Sequence, residues 1–113
     1  MSEPIQTIRI VAFSGKADNW NRWSKTFLAM QTAKGNREVI VPVDSKMKQD
    51  GDKNTKVYSD LMLSCQDDVT FGIVEESSSK DFPQGDARLA WANLHKKFEP
   101  KTAASKVQLK LEF

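Results

Sequence analysis

Trp20, Trp23, Phe27 and Met30 recur at spacings of three, four and three residues, a rhythm that traces one face of an α-helix. A strand would throw Trp20 and Met30 onto one face and Trp23 and Phe27 onto the other, so the pattern commits this stretch to helix. Large apolar side chains on one stripe must be covered by another element, because aromatic residues dominate the energetics of any core they enter. The flanks agree. Asp18 is placed to cap the amino end, Gly35 supplies a C′ residue, and Lys34 suits the negative end of the helix dipole. Leu28 falls to the side of the stripe.

A second stripe answers the first. Ala87, Trp91, Leu94 and Phe98 follow at spacings of four, three and four, behind Asp86 as the predicted N-cap. Pro100 ends this helix, since proline disfavours helical backbone in the residue before it. Between the stripes a helix is expected from about Thr55 to Cys65, burying Val57 or Tyr58, Leu61 and Cys65. A shorter one from about Asp68 to Glu75 would bury Val69 and Ile73, with Gly72 as its weak point. Residues 44–54 and 77–85 are polar and turn-rich and read as loops. β-Branched runs predict short extended segments near residues 8–12 and 38–41. Thr102 would cap a last helix with Ala103, Val107 and Leu111 inward; its amphipathic pattern still running at Phe113 predicts continuation in a longer polypeptide. The expected fold is one all-α domain of four to five helices with a short extended N-terminal segment.

Composition narrows the function classes. A chain of 113 residues supports one core, and no stretch approaches the roughly 20 apolar residues of a membrane span. Met1-Ser2-Glu3-Pro4 lacks the basic and apolar regions of a secretory signal. Cys65, the single cysteine, has no partner for an internal disulfide, and with the single histidine, His95, it cannot complete a four-ligand zinc site. The five glycines are scattered, so there is no phosphate-cradling loop. His95 has no nucleophile or second histidine beside it in sequence. No cofactor or metal is expected, and no catalytic residue can be named.

Two blocks carry a family resemblance. Phe13-Ser14-Gly15 followed by Asn19-Trp20-Asn21-Arg22-Trp23, and then Ala90-Trp91-Ala92-Asn93-Leu94-His95-Lys96-Lys97-Phe98 leading into Lys101-Thr102-Ala103-Ala104-Ser105-Lys106-Val107-Gln108-Leu109, resemble the N-terminal part of Gag from copia-type (Ty1/copia, pseudovirus-like) LTR retrotransposons. The pattern of that family is a hydrophobic lead-in, Phe-x-Gly, a tryptophan-bearing helix, and later a Trp-x-x-Leu-x-x-x-aromatic helix. The resemblance runs from about Ile8 to Phe113. It implies a capsid N-terminal lobe that associates with itself to build cytoplasmic virus-like particles around element RNA. The second lobe and zinc knuckle usual in the family are absent from this sequence, so RNA packaging would fall to other regions of a parent polypeptide.

Candidate contact residues fall into two groups. Trp20, Trp23, Phe27, Trp91, Leu94 and Phe98 are core residues first, and otherwise the walls of a groove for an apolar segment. Charge is segregated along the chain: Asp60, Asp67, Asp68, Glu75, Glu76, Asp81 and Asp86 outweigh Lys80 between residues 60 and 86, whereas Lys96, Lys97, Lys101, Lys106 and Lys110 outweigh Glu99 and Glu112 beyond residue 95. Such runs are ordinarily solvated faces. The sharper expectation is that Asp67, Asp68, Glu75 and Glu76 meet those lysines across a subunit boundary, or that the lysines meet RNA phosphates. The alternative functions are a Gag-derived host adaptor binding peptides in a helical groove and a weak nucleic-acid-binding module.

Overall fold

The computed structural model describes residues 11–44 and 48–99. Its regular elements are helices: α1 (Ala17–Ala33), α2 (Arg37–Ile40), α3 (Gly51–Ser64), α4 (Asp68–Glu75) and α5 (Ala87–Phe98). No strand occurs among the described residues, and the chain is an all-helical bundle there. The predicted helix after Thr102, and residues 8–10 of the first predicted extended segment, lie outside the described residues.

The ends of each helix are set by local chemistry. At the start of α1 the capping position belongs to Lys16, which makes no side-chain cap, rather than to Asp18. Ser14 organises this entry instead: its Oγ accepts from the Lys16 backbone N–H at 3.2 Å and from Asn19 Nδ2 at 2.7 Å. Asp18 sits in the first turn, where a carboxylate still favours the positive end of the helix dipole. The far end closes as expected on Gly35, whose φ of 79° is left-handed. The Gly35 and Asn36 N–H groups bond back to the Thr32 and Gln31 carbonyls at 3.0 and 2.8 Å, which is a Schellman closure. Asp50, Asp67 and Asp86 cap α3, α4 and α5 by accepting from backbone N–H groups of the first turn.

Three further sequence expectations are corrected. Residues 38–41 are not extended: Arg37–Ile40 form a single helical turn that buries Val39 and Ile40. A turn this short leaves its carbonyls without helical partners, and Arg88 of α5 supplies them, Nε donating to Val39 O at 2.7 Å and Nη2 to Glu38 O at 2.9 Å. The loop predicted for 44–54 ends early, because α3 starts at Gly51 once Asp50 accepts from Lys53 N at 3.1 Å. Helix α4 has the expected span, but the residues it buries are Thr70 and Val74, with Val69 53% exposed and Ile73 partly so. Thr70 enters the core because its hydroxyl is satisfied locally, donating to Asp67 O at 3.2 Å, so hydropathy alone misplaces the inner face by one residue.

α5 is the hub, packing on α2, α3 and α4. Its inner side is Ala87, Ala90, Leu94 and Phe98, and the two alanines permit close approach of the neighbouring helices. From α3 come Val57, Leu61 and Cys65, all fully buried, and from α4 Val74. Asn54 locks the 77–85 connection onto this core. Its Nδ2 donates to Gly85 O at 2.9 Å and its Oδ1 accepts from Ala87 N at 2.7 Å.

Two glycines of opposite character test this packing. Gly72 lies inside α4, and a Cβ added there would meet nothing within 4 Å, so Gly72→Ala should raise stability by about 0.5–1 kcal/mol. Gly85 has φ of 144°, and an added Cβ would stand 2.3 Å from the Tyr58 ring. Gly85→Ala should therefore lower the urea midpoint while Gly72→Ala raises it; equal effects of either sign would contradict the structure.

Candidate functional site

The aromatic side chains singled out in the sequence converge on one layer between α1 and α5. Trp20 stands 5.8 Å from both Trp91 and Phe98, and Phe27 packs on Trp23 and Trp91 at 5.1 and 5.6 Å between centroids. Trp20, Trp23, Phe27, Leu94 and Phe98 are buried, and Trp91 is partly so. Phe13, which periodicity does not mark because it precedes the helix, completes the layer. It stacks on Trp23 at 4.8 Å and meets Phe98 edge-on at 5.0 Å. Its burial explains the Phe-Ser-Gly sequence: Phe13 plugs the layer, Ser14 orders the start of α1, and Gly15 turns the chain. Gly15 has φ of 82°, and a Cβ there would lie 2.6 Å from the Asp67 side chain.

The indole N–H groups of α1 are both used. Trp23 Nε1 donates to Val11 O at 2.8 Å, and Trp20 Nε1 donates to Glu99 Oε1 at 3.3 Å. That same carboxylate oxygen lies 3.1 Å from His95 Nε2, and the His95 ring stands edge-on to Trp20 at 5.9 Å. His95 is half exposed and borders the core without entering it. The Trp20, Trp23 and Trp91 rings pack directly on one another rather than walling a groove. A shallow apolar concavity of about 330 Å³ lies outside α1 instead, walled by Val11, Ala12, Arg22, Trp23 and Thr26.

The acidic run dissolves in three dimensions. Asp60 is buried, its Oδ2 accepting from Gln31 Nε2 and Lys34 Nζ at 2.7 Å each, and this binds α3 to the end of α1. Asp86 is a buried cap, and Asp67 caps α4. Asp68 is exposed at the start of α4, whereas Glu75 and Glu76 are exposed at its other end, about 10 Å away at roughly 1.5 Å per residue. Lys96 and Lys97 are exposed in the last turn of α5. Together with Ile73, Asn93 and Glu76 they line a cleft of about 400 Å³ between α4 and α5. Lys101, Lys106 and Lys110 lie outside the described residues.

Two titratable groups among the described residues are shifted, and both by their surroundings in the core. Burial above all, reinforced by the Glu75 carboxylate, pushes the Tyr58 phenol above its ordinary value; its hydroxyl donates to Val74 O at 2.7 Å. Burial pushes the Cys65 thiol from 9.0 up to about 12, opposed by a hydrogen bond with Thr70 and assisted by Asp67. Cys65 is thus a packed, protonated thiol rather than a nucleophile at neutral pH. Among the described residues no group of three or more His, Cys, Asp or Glu side chains is arranged to hold a metal ion, and no helix is long and apolar enough to cross a membrane.

No protein-family model, curated protein or solved structure matches the chain.

The layer and the thiol make separate predictions. Trp20→Ala should cost about 3–5 kcal/mol, read as a loss in the urea midpoint. The native thiol stays protonated up to a higher pH than the unfolded one. Its contribution is therefore complete below about pH 9 and is lost as pH rises toward about 12. The stability advantage of wild type over Cys65→Ala should accordingly shrink between about pH 9 and about pH 12. An advantage that grows over that interval would contradict the buried placement.

Proposed function

We propose that this chain is a non-catalytic assembly lobe of a copia-type Gag capsid, acting by self-association to build cytoplasmic particles around element RNA. The observation that carries the proposal is the convergence of the residues on which the resemblance rests. Phe13, Trp20, Trp23, Trp91 and Phe98 are dispersed in sequence but meet in one layer, and Gly15 shapes the turn that delivers the first of them. Phe-x-Gly and the two tryptophan-bearing helices therefore act as parts of a single core, as a shared family pattern requires. With the aromatics consumed inside, the described surface offers polar and charged side chains and a few exposed apolar ones such as Leu63, Val69 and Val43. Such a surface suits many weak, repeated contacts better than one tight interface.

RNA is assigned to other regions of a parent polypeptide. Lys96 and Lys97 stand beside Glu76 rather than beside exposed aromatic rings, and lysines without stacking platforms bind phosphate weakly and without sequence preference. The adaptor reading draws on the concavity at Val11, Ala12 and Trp23, which is apolar enough to take a short peptide side chain.

Sedimentation of the chain over a wide concentration range, with electron microscopy of a particle-length parent, tests the assembly reading. Weight-average mass should rise with concentration and fall as salt screens the charged contacts. A strictly monomeric chain at millimolar concentration and low salt would reject it. Tight, salt-sensitive binding of single-stranded RNA by this chain would favour the nucleic-acid reading instead.

A further inference from the structure

We infer that the cavity between α3 and the 77–85 connection is a binding site for the guanidinium group of an arginine side chain presented by a peptide. Such a site requires no self-association and stands apart from the assembly reading.

The cavity holds about 460 Å³, within the size range of small-ligand sites. Tyr58 and Ser59 wall it from α3, and Asp81, Phe82, Pro83 and Gln84 from the connection. Its walls are held in place before any ligand arrives. Ser79 Oγ accepts from Phe82 N at 3.1 Å, and Phe82 O accepts from the Ser79 and Gly85 N–H groups at 3.2 and 3.1 Å. Asn54 ties Gly85 to α3, and the Tyr58 ring is pinned by its hydroxyl donating to Val74 O at 2.7 Å. Walls fixed in this way need no ordering on binding.

The charge of the cavity selects its occupant. Asp81 is its one charged wall residue, and no lysine or arginine lines it. The Asp81 carboxylate is exposed and joins no ion pair among the described residues. Beside it the rings of Tyr58 and Phe82 are only partly buried. A carboxylate next to aromatic rings suits a guanidinium, which is planar, stacks on rings and meets a carboxylate through two parallel hydrogen bonds. An ammonium group shares the charge but not the plane. An anion is opposed by Asp81, and the amino end of α3, which would otherwise attract one, is already served by Asp50 as cap and Asp52 in the first turn. A purely apolar side chain would cover Asp81, Ser59 and Gln84 without pairing them. Ser59, Asp81, Pro83 and Gln84 are exposed, so the mouth is open and the backbone that carries the arginine can stay outside.

The test is a titration of the whole chain with a blocked Gly-Arg-Gly peptide, followed through backbone amide and Tyr58 ring signals by NMR. Saturable shifts are expected at Tyr58, Ser59, Phe82 and Gln84. The same peptide with citrulline in place of arginine, which keeps the shape and removes the charge, should give none. A Gly-Lys-Gly peptide should bind several-fold more weakly than the arginine peptide. Asp81 is exposed, so Asp81→Asn should keep the amide spectrum away from the cavity and weaken the arginine peptide by about tenfold. Phe82→Leu, which keeps an apolar side chain and removes the ring, should weaken it by about threefold. Shifts that never saturate or that spread over the whole surface would overturn the assignment. So would citrulline or lysine peptides binding as well as arginine, or an Asp81→Asn chain binding as well as wild type.

Discussion

The contact between Phe13 and the rings of Trp23 and Phe98 joins three parts of the chain at one point: the lead-in before α1, α1 itself and the end of α5. Much else is arranged to make that contact possible. The Phe13 N–H is anchored on the Ser64 carbonyl at 2.9 Å, which ties the lead-in to the end of α3. Gly15 then passes so close to Asp67 that a side chain there would collide. Asp67 is in turn the cap of α4. One aromatic insertion therefore sets the register of the lead-in against the corner where α3 turns into α4, and α1 is delivered to α5 at ring-to-ring distance.

Polar side chains finish what the rings begin. α1 and α5 meet through Trp20, Trp23, Phe27 and Trp91, whereas α1 and α3 are joined by the buried Gln31–Asp60–Lys34 group. Arg88 holds the short α2 through its carbonyls, and Asn54 holds the Gly85–Ala87 backbone. A buried polar group is costly unless paired, so each of these ties tolerates one geometry. They specify which helices are neighbours, a matter on which non-directional apolar burial is indifferent.

Charge acquires meaning only after this packing. Along the sequence the acidic and basic runs look like two poles. In space Asp60 and Asp86 have gone into the core, Asp67 has become a cap, and Glu76 has come to rest beside Lys96 and Lys97.

The helical class, the span of α4, the Gly35 closure of α1, the Asp86 cap of α5 and the inward stripe of α1 follow from residue spacing alone, as does that of α5 but for Ala90, which is buried where Trp91 is only partly so. Periodicity and capping are local properties, expressed within one or two turns. What spacing does not contain is any partner farther away than that. The helical turn at Arg37–Ile40 needs Arg88 from across the bundle, the burial of Thr70 in place of Val69 needs the roll of α4 over Cys65, and the central position of Phe13 needs α5 to be there to receive it. These were decided by tertiary structure, because each depends on a group brought close only when the whole chain has closed around its aromatic layer.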